Sequence, residues 1–311
     1  MNFSIIIPVF NEEQNISQLY SEITSVMIDF DKDFEIIFVD DGSNDKTYGN
    51  LLEIQQNDHH LKIIKLIKNF GQTSALQAGI DISKGEFIIT MDGDLQNDPK
   101  DIPSLIHELD RGYDVITGWR YKRKDIFSKR FVSRIANFLR KQILKDRIND
   151  SGCGLKAYRK ECFQKINLYG ESHRFIPAIL SINGYKIKEI KVNHRPRKYG
   201  KTKYNYTRTF NGFLDMLLIR FWTNFSTRPI HLFGSFGIIF GSIGFGLGVY
   251  LSTLKLYYNE PIADRPLLIL ASLLIITGLI LFFFGLIADI LIKIYYKDAK
   301  PYIIDKINSD K

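Results

Sequence analysis

The first 120 residues alternate between short apolar runs and longer segments whose apolar positions have helical spacing. The strand candidates are FSIIIPVF, FEIIFVDDGS, LKIIKLI, EFIITMDGD and YDVITGWR. A short run that is apolar throughout is typical of a strand buried on both faces of a sheet. Strands that alternate with helices indicate βαβ units, so the pattern predicts an α/β domain with a mostly parallel sheet. The second helix has Ser43 or Asn44 as its candidate N-cap.

Two long segments without charge follow this pattern. Neither PIHLFGSFGIIFGSIGFGLGVYLSTL nor PLLILASLLIITGLILFFFGLIA contains Asp, Glu, Lys or Arg, and each exceeds the ~20 residues that a helix needs to cross a bilayer. We therefore predict a two-helix transmembrane hairpin with spans at about 231–254 and 266–288. Glycines at small-xxx-small spacing in the first span would let the helices approach closely. They are Gly237, Gly241, Gly244 and Gly248.

Flanking charges predict the orientation of the hairpin. Arg220 and Arg228 precede the first span, several lysines follow the second, and the connecting loop is balanced. The positive-inside rule therefore places both termini in the cytoplasm and makes the chain a multi-pass protein of the cell membrane. The N-terminus lacks the basic region and the cleavage site of a signal peptide. The predicted parts are a cytoplasmic catalytic domain at 1–227, the hairpin at 228–290 and a basic cytoplasmic tail at 291–311.

Two further segments, at about 126–145 and 208–225, combine aromatic, apolar and basic residues at helical spacing. Such helices beside membrane spans typically lie in the membrane interface, and an ordinary core-facing helix is the alternative. The net charge is +8, and the basic residues collect near the apolar segments. An anionic membrane surface therefore explains the charge better than nucleic acid does.

Acids and residues of distinctive turns stand where four predicted strands end. They are Pro8, Asn11 and Glu12 after the first strand, Asp40 and Asp41 after the second, Asp92, Asp94 and Gln96 after the fourth, and Gly118 and Arg120 after the fifth. Turn or capping chemistry would explain each group singly. However, the carboxyl ends of parallel strands meet at one edge of the sheet, where ligands bind in such folds. We therefore expect these groups to form one site.

The pair of aspartates in MDGDLQ suggests a divalent metal site. A glycine between them, Gly93, would let the backbone bend so that both carboxylates approach one ion. Oxygen ligands favour Mg²⁺ or Mn²⁺, which usually bridge substrate phosphates. The chain has no Walker loop, which argues against a P-loop nucleotide hydrolase. A nucleoside-diphosphate substrate whose leaving group is stabilised by a metal fits best.

The motifs IIIPVFNEE, VDDGSNDKT, KNFGQTSALQAG, MDGDLQNDP and GWR together resemble those of family 2 inverting glycosyltransferases. Within that family the chain is most similar to polyprenyl-phosphate glycosyltransferases of the dolichyl-phosphate mannose synthase-like group, and the similarity covers nearly the whole chain. The resemblance implies a GT-A-type, Rossmann-like sheet with flanking helices. It also implies transfer of a sugar from a UDP- or GDP-linked donor to a polyprenyl phosphate of the undecaprenyl or dolichyl type.

The resemblance also implies roles for individual residues. The nucleotide sugar would contact Pro8, Asn11, Glu12, Asp40 and Asp92, and the metal would contact Asp92, Asp94 and Gln96. Asp92, Asp94 and Arg120 would be the catalytic residues, whereas Asp41 would support its loop without touching the ligand. The acceptor phosphate would contact Arg120, Lys129, Arg130, Ser133 and Arg197. Arginine suits this role because its planar fork matches phosphate oxygens.

The predicted acceptor limits the chemistry that the protein must supply. A hydroxyl acceptor needs a general base, but a phosphate monoester with a second pKa near ~6 is already ionised at neutral pH. The main tasks would be to align an in-line attack and to stabilise the departing diphosphate. Cys153 and Cys162 are read as free thiols without a covalent role, and a structural role is favoured for His173 over proton transfer.

Two other functions remain alternatives. A processive or other membrane glycosyltransferase would act on a glycan or lipid hydroxyl. Processive enzymes typically carry a further acidic pair and a Gln-x-x-Arg-Trp signature, and this chain lacks that signature. A non-catalytic, sugar-nucleotide-binding membrane protein could dispense with the metal acids or the acceptor cations, and both sets are present. The glycine-rich spans are compatible with a homo-oligomer.

Overall fold

The computed structural model describes residues 2–121, 141–144, 148–164, 166, 168, 170, 172–199, 206–225, 228–262 and 266–295. The chain divides into two compact units, Met1–Ile219 and Arg220–Lys311. The first unit contains a seven-stranded sheet with helices on both faces. The second contains two long apolar helices.

The sheet has the strand order β3-β2-β1-β4-β6-β5-β7. Its strands are β1 (Phe3–Val9), β2 (Phe34–Asp40), β3 (Leu61–Lys65), β4 (Phe87–Thr90), β5 (Val115–Trp119), β6 (Lys156–Arg159) and β7 (Ile187–Lys191). Every neighbouring pair is parallel except the two that involve β6, which runs antiparallel between β4 and β5. The other strands therefore all have their carboxyl ends at one edge, which confirms the mostly parallel sheet.

The five strands predicted from apolar runs are β1 to β5, and the sequence pattern missed β6 and β7. β6 has only four residues, KAYR, and two of them are basic, so it does not look like a buried strand. β7, IKEIK, lies at an edge of the sheet and is only partly buried, so charged residues interrupt its apolar pattern. β6 was therefore missed because it is short and partly basic, and β7 because it lies at the partly exposed edge of the sheet.

The helices are α1 (Ile16–Asp29), α2 (Thr47–Gln55), α3 (Gln72–Ile82), α4 (Ile102–Asp110), α5 (Ile176–Ile182), α6 (Tyr206–Phe225), α7 (Ile230–Tyr258) and α8 (Pro266–Tyr295). Helix α2 begins at Thr47, so the predicted N-cap at Ser43 or Asn44 is wrong. The Ser43 hydroxyl instead accepts a hydrogen bond from the Asn11 backbone N–H at 2.8 Å, and the Asn44 backbone N–H donates to the Asn11 side chain at 2.8 Å. These polar groups join two loops and do not cap the helix.

The sheet is buried on both faces, which explains why most residues of its central strands are apolar. Ile5 and Ile7 of β1 pack on the side of α1 and α4, whereas Ile6 packs on the side of α3 and α5. A Cβ atom at Gly79 of α3 would lie 2.4 Å from the Ile6 side chain. Helix α3 therefore approaches the sheet closely, and its N-terminus lies near the carboxyl edge of the strands.

Helices α7 and α8 cover both predicted spans and are long and apolar enough to cross a membrane. They pack through glycine: a Cβ atom at Gly237 would lie 2.7 Å from the Gly278 carbonyl oxygen, and one at Gly278 would lie 2.6 Å from the Gly241 nitrogen. A Cβ atom at Gly244 would lie 2.8 Å from the Ala271 carbonyl oxygen. These contacts confirm close approach at Gly237 and Gly244, and Gly278 approaches the backbone of Gly241 although a Cβ at Gly241 itself would meet no atom within 4 Å. At Gly248 no atom of the described residues lies within 4 Å of an added Cβ and no partner glycine approaches it, so that part of the prediction is wrong.

Helix α6 corresponds to the second predicted interfacial helix. Its Met216 and Ile219 side chains are buried in a cluster that includes Phe175 and Ala178. Leu218 and Trp222 are exposed by 41% and 42%, so the helix keeps an apolar surface outside this cluster. The first predicted interfacial helix, at about 126–145, lies almost entirely outside the described residues. Only residues 141–144 of this range are described, and they are helical.

Candidate active site

The ends of β1, β2 and β4 lie side by side, as expected of parallel strands. Val9 is paired with Asp40, and the Asp41 backbone N–H donates to the Val9 carbonyl oxygen at 2.9 Å. The Met91 backbone N–H, immediately before Asp92, donates to the Ile6 carbonyl oxygen at 3.1 Å. The acids that follow β2 and β4 therefore meet at one edge of the sheet.

Asp92 lies at this edge of the sheet, in contact with Gln72 and next to Gly154. Its Oδ1 accepts a hydrogen bond from the Gln72 side-chain amide at 2.8 Å. A Cβ atom at Gly154 would lie 2.3 Å from the Asp92 carboxylate carbon, so only glycine leaves room for this carboxylate. Burial raises the pKa of Asp92, the Asp94 charge adds to the rise, and the cations Arg120 and Lys156 oppose it. Asp92 is thus a carboxylate held at the centre of a charged cluster.

Asp94 has both carboxylate oxygens in contact with the chain. Its Oδ1 accepts from the Gln96 backbone N–H at 3.1 Å, and its Oδ2 accepts from the Arg197 guanidinium at 2.6 Å. The exposed fractions of these two side chains are 13% for Asp94 and 29% for Arg197, so the ion pair is partly shielded from water. An acid predicted to bind the metal is therefore paired with a cation predicted to bind the acceptor.

The backbone bends at a different residue from the one predicted. The glycine between the aspartates, Gly93, is absent from the positive-φ residues, whereas Leu95 has a φ of 61°. A left-handed conformation costs a residue other than glycine roughly 1–2 kcal/mol. Gly93 is needed for space instead, since a Cβ atom there would lie 2.7 Å from the Val9 side chain. The turn between Asp94 and Gln96 thus stores strain that the burial of Leu95 in the core offsets.

The segment after β7 forms hydrogen bonds and ion pairs with the same acidic turn. The Arg195 backbone N–H donates to the Gln96 carbonyl oxygen at 2.9 Å, and the Gln96 side-chain amide donates to the Arg195 carbonyl oxygen at 3.5 Å. The Arg195 guanidinium pairs with Glu22 at 2.5 Å and with Asp98 at 2.7 Å. Arg195 therefore anchors the segment, and Arg197 follows it directly above Asp94.

Arg120, at the end of β5, is held by an aspartate from a distant part of the chain. Its Nε and Nη2 donate to the two oxygens of Asp150 at 2.7 and 2.8 Å, and its backbone N–H donates to Asp150 at 3.2 Å. Burial would lower the pKa of Arg120, but the Asp150 hydrogen bonds and charge outweigh it and raise the pKa. The guanidinium therefore stays charged and has a fixed orientation.

Lys156, the first residue of β6, is buried behind Asp92. Its exposed fraction is 4%, and its ammonium donates to the His173 carbonyl oxygen at 3.2 Å. Burial lowers the pKa of Lys156 to about 8, and the carboxylates of Asp92 and Asp150 oppose the fall. The His173 ring lies 2.7 Å from the Thr73 hydroxyl, which agrees with the structural role favoured for this histidine.

The loops that were predicted to hold the nucleotide are joined to each other. The Glu12 backbone N–H donates to the Thr47 hydroxyl at 2.9 Å, and the Glu12 carboxylate accepts from the Asn15 amide at 2.6 Å. Asp40 is fully buried, with Oδ1 accepting from the Ser43 backbone N–H at 3.0 Å. Its Oδ2 has no hydrogen-bond partner within the described part of the chain. Pro8 pairs with Val39 inside the sheet.

Asp41 supports a neighbouring loop, as predicted. Its two oxygens accept hydrogen bonds from the backbone N–H groups of Phe70 and Gly71, at 2.7 and 2.9 Å. Burial raises the pKa of Asp41, and these two hydrogen bonds oppose the rise. Cys153 is also buried, and burial raises the pKa of its thiol to about 11. A neutral thiol is a poor nucleophile, which agrees with the absence of a covalent role.

The family model of glycosyl transferase family 2 matches residues 4–166, which contain β1 to β6 and the acidic edge. The chain belongs to this family. This glycosyltransferase is 39% identical to dodecaprenyl-phosphate galacturonate synthase of Rhizobium johnstonii, over 100% of the chain and 94% of that protein. It is 32% identical to undecaprenyl-phosphate 4-deoxy-4-formamido-L-arabinose transferase of Enterobacter sp. strain 638, over 98% of the chain and 93% of that protein.

Solved structures share the architecture of the glycosyltransferase. Glucosyl-3-phosphoglycerate synthase of Mycobacterium tuberculosis in complex with UDP aligns with a TM-score of 0.56 at 16% identity, over 70% of this chain and 80% of that chain. The same enzyme with Mn²⁺ and UDP-glucose aligns with a TM-score of 0.54 at 17% identity, over 70% of this chain and 78% of that chain. The predicted GT-A-type fold is thereby confirmed.

The acidic edge of this glycosyltransferase fits a metal that arrives with phosphate. Within the described ranges, no group of three or more His, Cys, Asp or Glu residues could hold an ion by itself. Asp92 and Asp94 offer two carboxylates, and Gln96 offers an amide oxygen. Mg²⁺ in phosphate-transfer sites is typically held by one or two carboxylates together with substrate phosphates. The donor set therefore fits Mg²⁺ or Mn²⁺ bound jointly with a diphosphate.

The predicted residues thus divide into three groups. Asp92, Asp94, Gln96, Arg120 and Arg197 form one charged cluster at the sheet edge. Lys129, Arg130 and Ser133 lie outside the described residues. Gln72, Asp150 and Lys156 also contact this cluster and were not predicted from the sequence. No local sequence pattern distinguishes any of the three residues.

Proposed function

We propose that the chain transfers a sugar from a nucleoside-diphosphate sugar to a polyprenyl phosphate, with inversion at the anomeric carbon. The observation that carries this proposal is the length of the similarity to two relatives whose names specify polyprenyl phosphates. It extends over 100% and 98% of the chain and so includes both apolar helices.

The donor side is supported by the acidic edge. Asp92 and Asp94 would hold Mg²⁺ or Mn²⁺ with the diphosphate, and Gln96 would complete the set. When bound, the ion would supply positive charge to the departing diphosphate. The unpartnered, buried oxygen of Asp40 would suit a hydrogen-bond donor of the nucleoside, beside Pro8, Asn11 and Glu12. The neighbour with UDP-glucose favours a UDP-linked donor over a GDP-linked one.

The acceptor side is supported by the cations at the same edge. Arg120 is fixed by Asp150, so its guanidinium is oriented before the phosphate arrives, and Arg197 lies beside Asp94 at the same edge. Preorientation lowers the entropic cost of binding. Lys129, Arg130 and Ser133, which lie outside the described residues, stay predicted contacts of the phosphate. The phosphate is ionised at neutral pH, so the chain needs to align it with the anomeric carbon but not to remove a proton.

The membrane arrangement follows from α7 and α8. Both helices would span the cell membrane, and the basic residues outside them would keep the catalytic unit and both termini in the cytoplasm. The polyprenyl phosphate would then be reached from the cytoplasmic face. Cysteine labelling of intact cells tests the orientation: a cysteine introduced at Asn259, between the helices, should react with an impermeant reagent, whereas one at Asn2 should not.

A transfer assay with the full-length protein in detergent tests the proposal. The protein, Mn²⁺ and undecaprenyl phosphate are incubated with a panel of UDP- and GDP-sugars, and lipid-linked sugar is measured by mass spectrometry. One donor should give product only when the lipid phosphate is present. Asp94→Asn should lower the rate by at least about 100-fold. Asp81→Asn, which changes an exposed acid on α3, should leave the rate within about twofold.

Two outcomes would overturn the proposal. Growth of glycan chains without any product on lipid phosphate would indicate a processive enzyme. Binding of a nucleotide sugar without turnover of any donor in the panel would indicate a non-catalytic binding protein. Retention of near-normal transfer by Asp94→Asn would contradict the metal site but not the acceptor.

A further inference from the structure

The first residue of α3 reaches into the donor site. Gln72 donates a hydrogen bond from its side-chain amide to Oδ1 of Asp92 at 2.8 Å. Gln72 lies 20 residues before Asp92 in the chain and belongs to a different βα unit. Its contact fixes one oxygen of the carboxylate that stands at the centre of the acidic edge.

The position of Gln72 is itself fixed by the acid that follows β2. Both oxygens of Asp41 are used to hold the backbone N–H groups of Phe70 and Gly71, the two residues before the helix. Gly71 has a φ of 93°, which side chains other than glycine rarely adopt. On the other side of Gln72, the Thr73 hydroxyl contacts the His173 ring at 2.7 Å. The start of α3 is therefore held on both sides of Gln72.

The Gly154 backbone also confines Asp92. A Cβ atom at Gly154 would lie 2.3 Å from the carboxylate carbon and from Oδ2, and 2.5 Å from Oδ1. The carboxylate thus has little room to rotate. The hydrogen bond from Gln72 engages Oδ1, and among the described residues no side chain donates a hydrogen bond to Oδ2.

We propose that Gln72 is a positioning residue of the donor site: its amide holds Oδ1 of Asp92 so that Oδ2 is presented to the metal–diphosphate group. The inference rests on the proposed function for the presence of that group. Gln72 acts through Asp92 and need not touch the substrate. Hydrogen-bond partners that orient a metal-binding carboxylate typically change metal affinity by 10–100-fold when they are removed.

The test compares two glutamines of α3 that make the same kind of contact. Gln72→Met keeps the length of the side chain but removes the donor. Gln77→Met is the matched control, because Gln77 lies on the same helix and donates to Asp81 at 2.7 Å, and it also accepts from the Leu168 backbone N–H at 3.1 Å. Mn²⁺ binding to the full-length protein in detergent is measured by titration calorimetry, with saturating UDP or GDP, whichever the wild type binds.

We expect Gln72→Met to weaken Mn²⁺ binding by about 10–100-fold and to raise the KM for the nucleotide sugar, with the KM for the lipid phosphate unchanged. Gln77→Met should leave Mn²⁺ affinity within about twofold. The melting temperature is recorded for both variants, since a purely structural role would lower it without a selective loss of metal.

Equal Mn²⁺ affinity in Gln72→Met and wild type would overturn the inference, as would a wild type that binds neither nucleotide with Mn²⁺. The proposed function fails in a different way. If the wild type binds nucleotide and Mn²⁺ but transfers no sugar to lipid phosphate, the acceptor is wrong, and the comparison of the two glutamines still decides the role of Gln72.

Discussion

Replacing Arg197 by glutamine should change two measurable affinities in opposite directions. The Arg197 guanidinium lies 2.6 Å from Oδ2 of Asp94, and the two side chains are exposed by 29% and 13%. A pair that is this accessible to water contributes about 1 kcal/mol, near the upper end for surface ion pairs. A metal ion that uses the same oxygen must first displace the guanidinium. Replacing Arg197 by glutamine should therefore strengthen metal binding by about 1 kcal/mol, or about fivefold in affinity.

The same change should harm the acceptor side. A phosphate that lies against a guanidinium loses a charge-assisted hydrogen bond when the arginine becomes glutamine, which is worth about 1.5–3 kcal/mol. The KM for polyprenyl phosphate should therefore rise by about 10-fold or more in Arg197→Gln. Calorimetry with Mn²⁺ and nucleotide measures the first effect, and steady-state kinetics with varied lipid phosphate measure the second.

Lys198→Gln is the matched control for this experiment. It removes one positive charge from the neighbouring residue, whose ammonium donates to the exposed side chain of Gln18 at 3.1 Å. A general effect of net charge would change both variants equally, whereas competition at Asp94 should be confined to Arg197. Weaker Mn²⁺ binding in Arg197→Gln would refute the reasoning, because it would mean that the arginine assists the metal.

Three further predictions concern stability. Asp150→Asn leaves the buried Arg120 guanidinium without its counter-charge and should lower the free energy of unfolding by about 3–5 kcal/mol, measured by denaturant titration. Gly278→Ala should lower the melting temperature in detergent, because its methyl group would collide with α7, whereas Gly248→Ala should not; equal melting temperatures would contradict the helix packing. Burial disfavours the charged form of Lys156, whose pKa falls from 10.5 to about 8, so this residue costs stability below pH 8 and the cost fades as the pH rises to about 10.5. Unfolding measured across that range should show the rise in wild type and not in Lys156→Met.

Much of the fold was predictable because its central strands are buried on both faces. Such strands are apolar throughout, and β1, β2 and β4 could be recognised for that reason. The acids at their ends were also predictable, since parallel strands place their carboxyl ends together. β6 was not, because it is short and contains Lys156, whose charge is stabilised only by groups from elsewhere in the fold.

The pairings within the site could not be predicted from spacing. Arg120 and Asp150 are 30 residues apart, and Asp94 and Arg197 are 103 residues apart. Each pair is brought together by the order of the strands, which local patterns do not encode. Leu95, the strained residue, was missed for a related reason. The glycine at position 93 suggested backbone flexibility, but the close approach of the Val9 side chain already explains why there is no side chain at that position.

The reversed direction of β6 has a consequence for how this enzyme can diversify. The Gly118 backbone N–H donates to the Leu155 carbonyl oxygen at 3.0 Å, so the chain leaves the sheet after β5 and re-enters it at the adjacent position. Both ends of the connection between these two strands are thus fixed on the sheet. Doubling the length of a flexible connection costs only about 0.6 kcal/mol of closure entropy. The connection can therefore change in length at little cost to the fold, provided that its ends keep Arg120, Asp150 and Gly154, which belong to the charged edge.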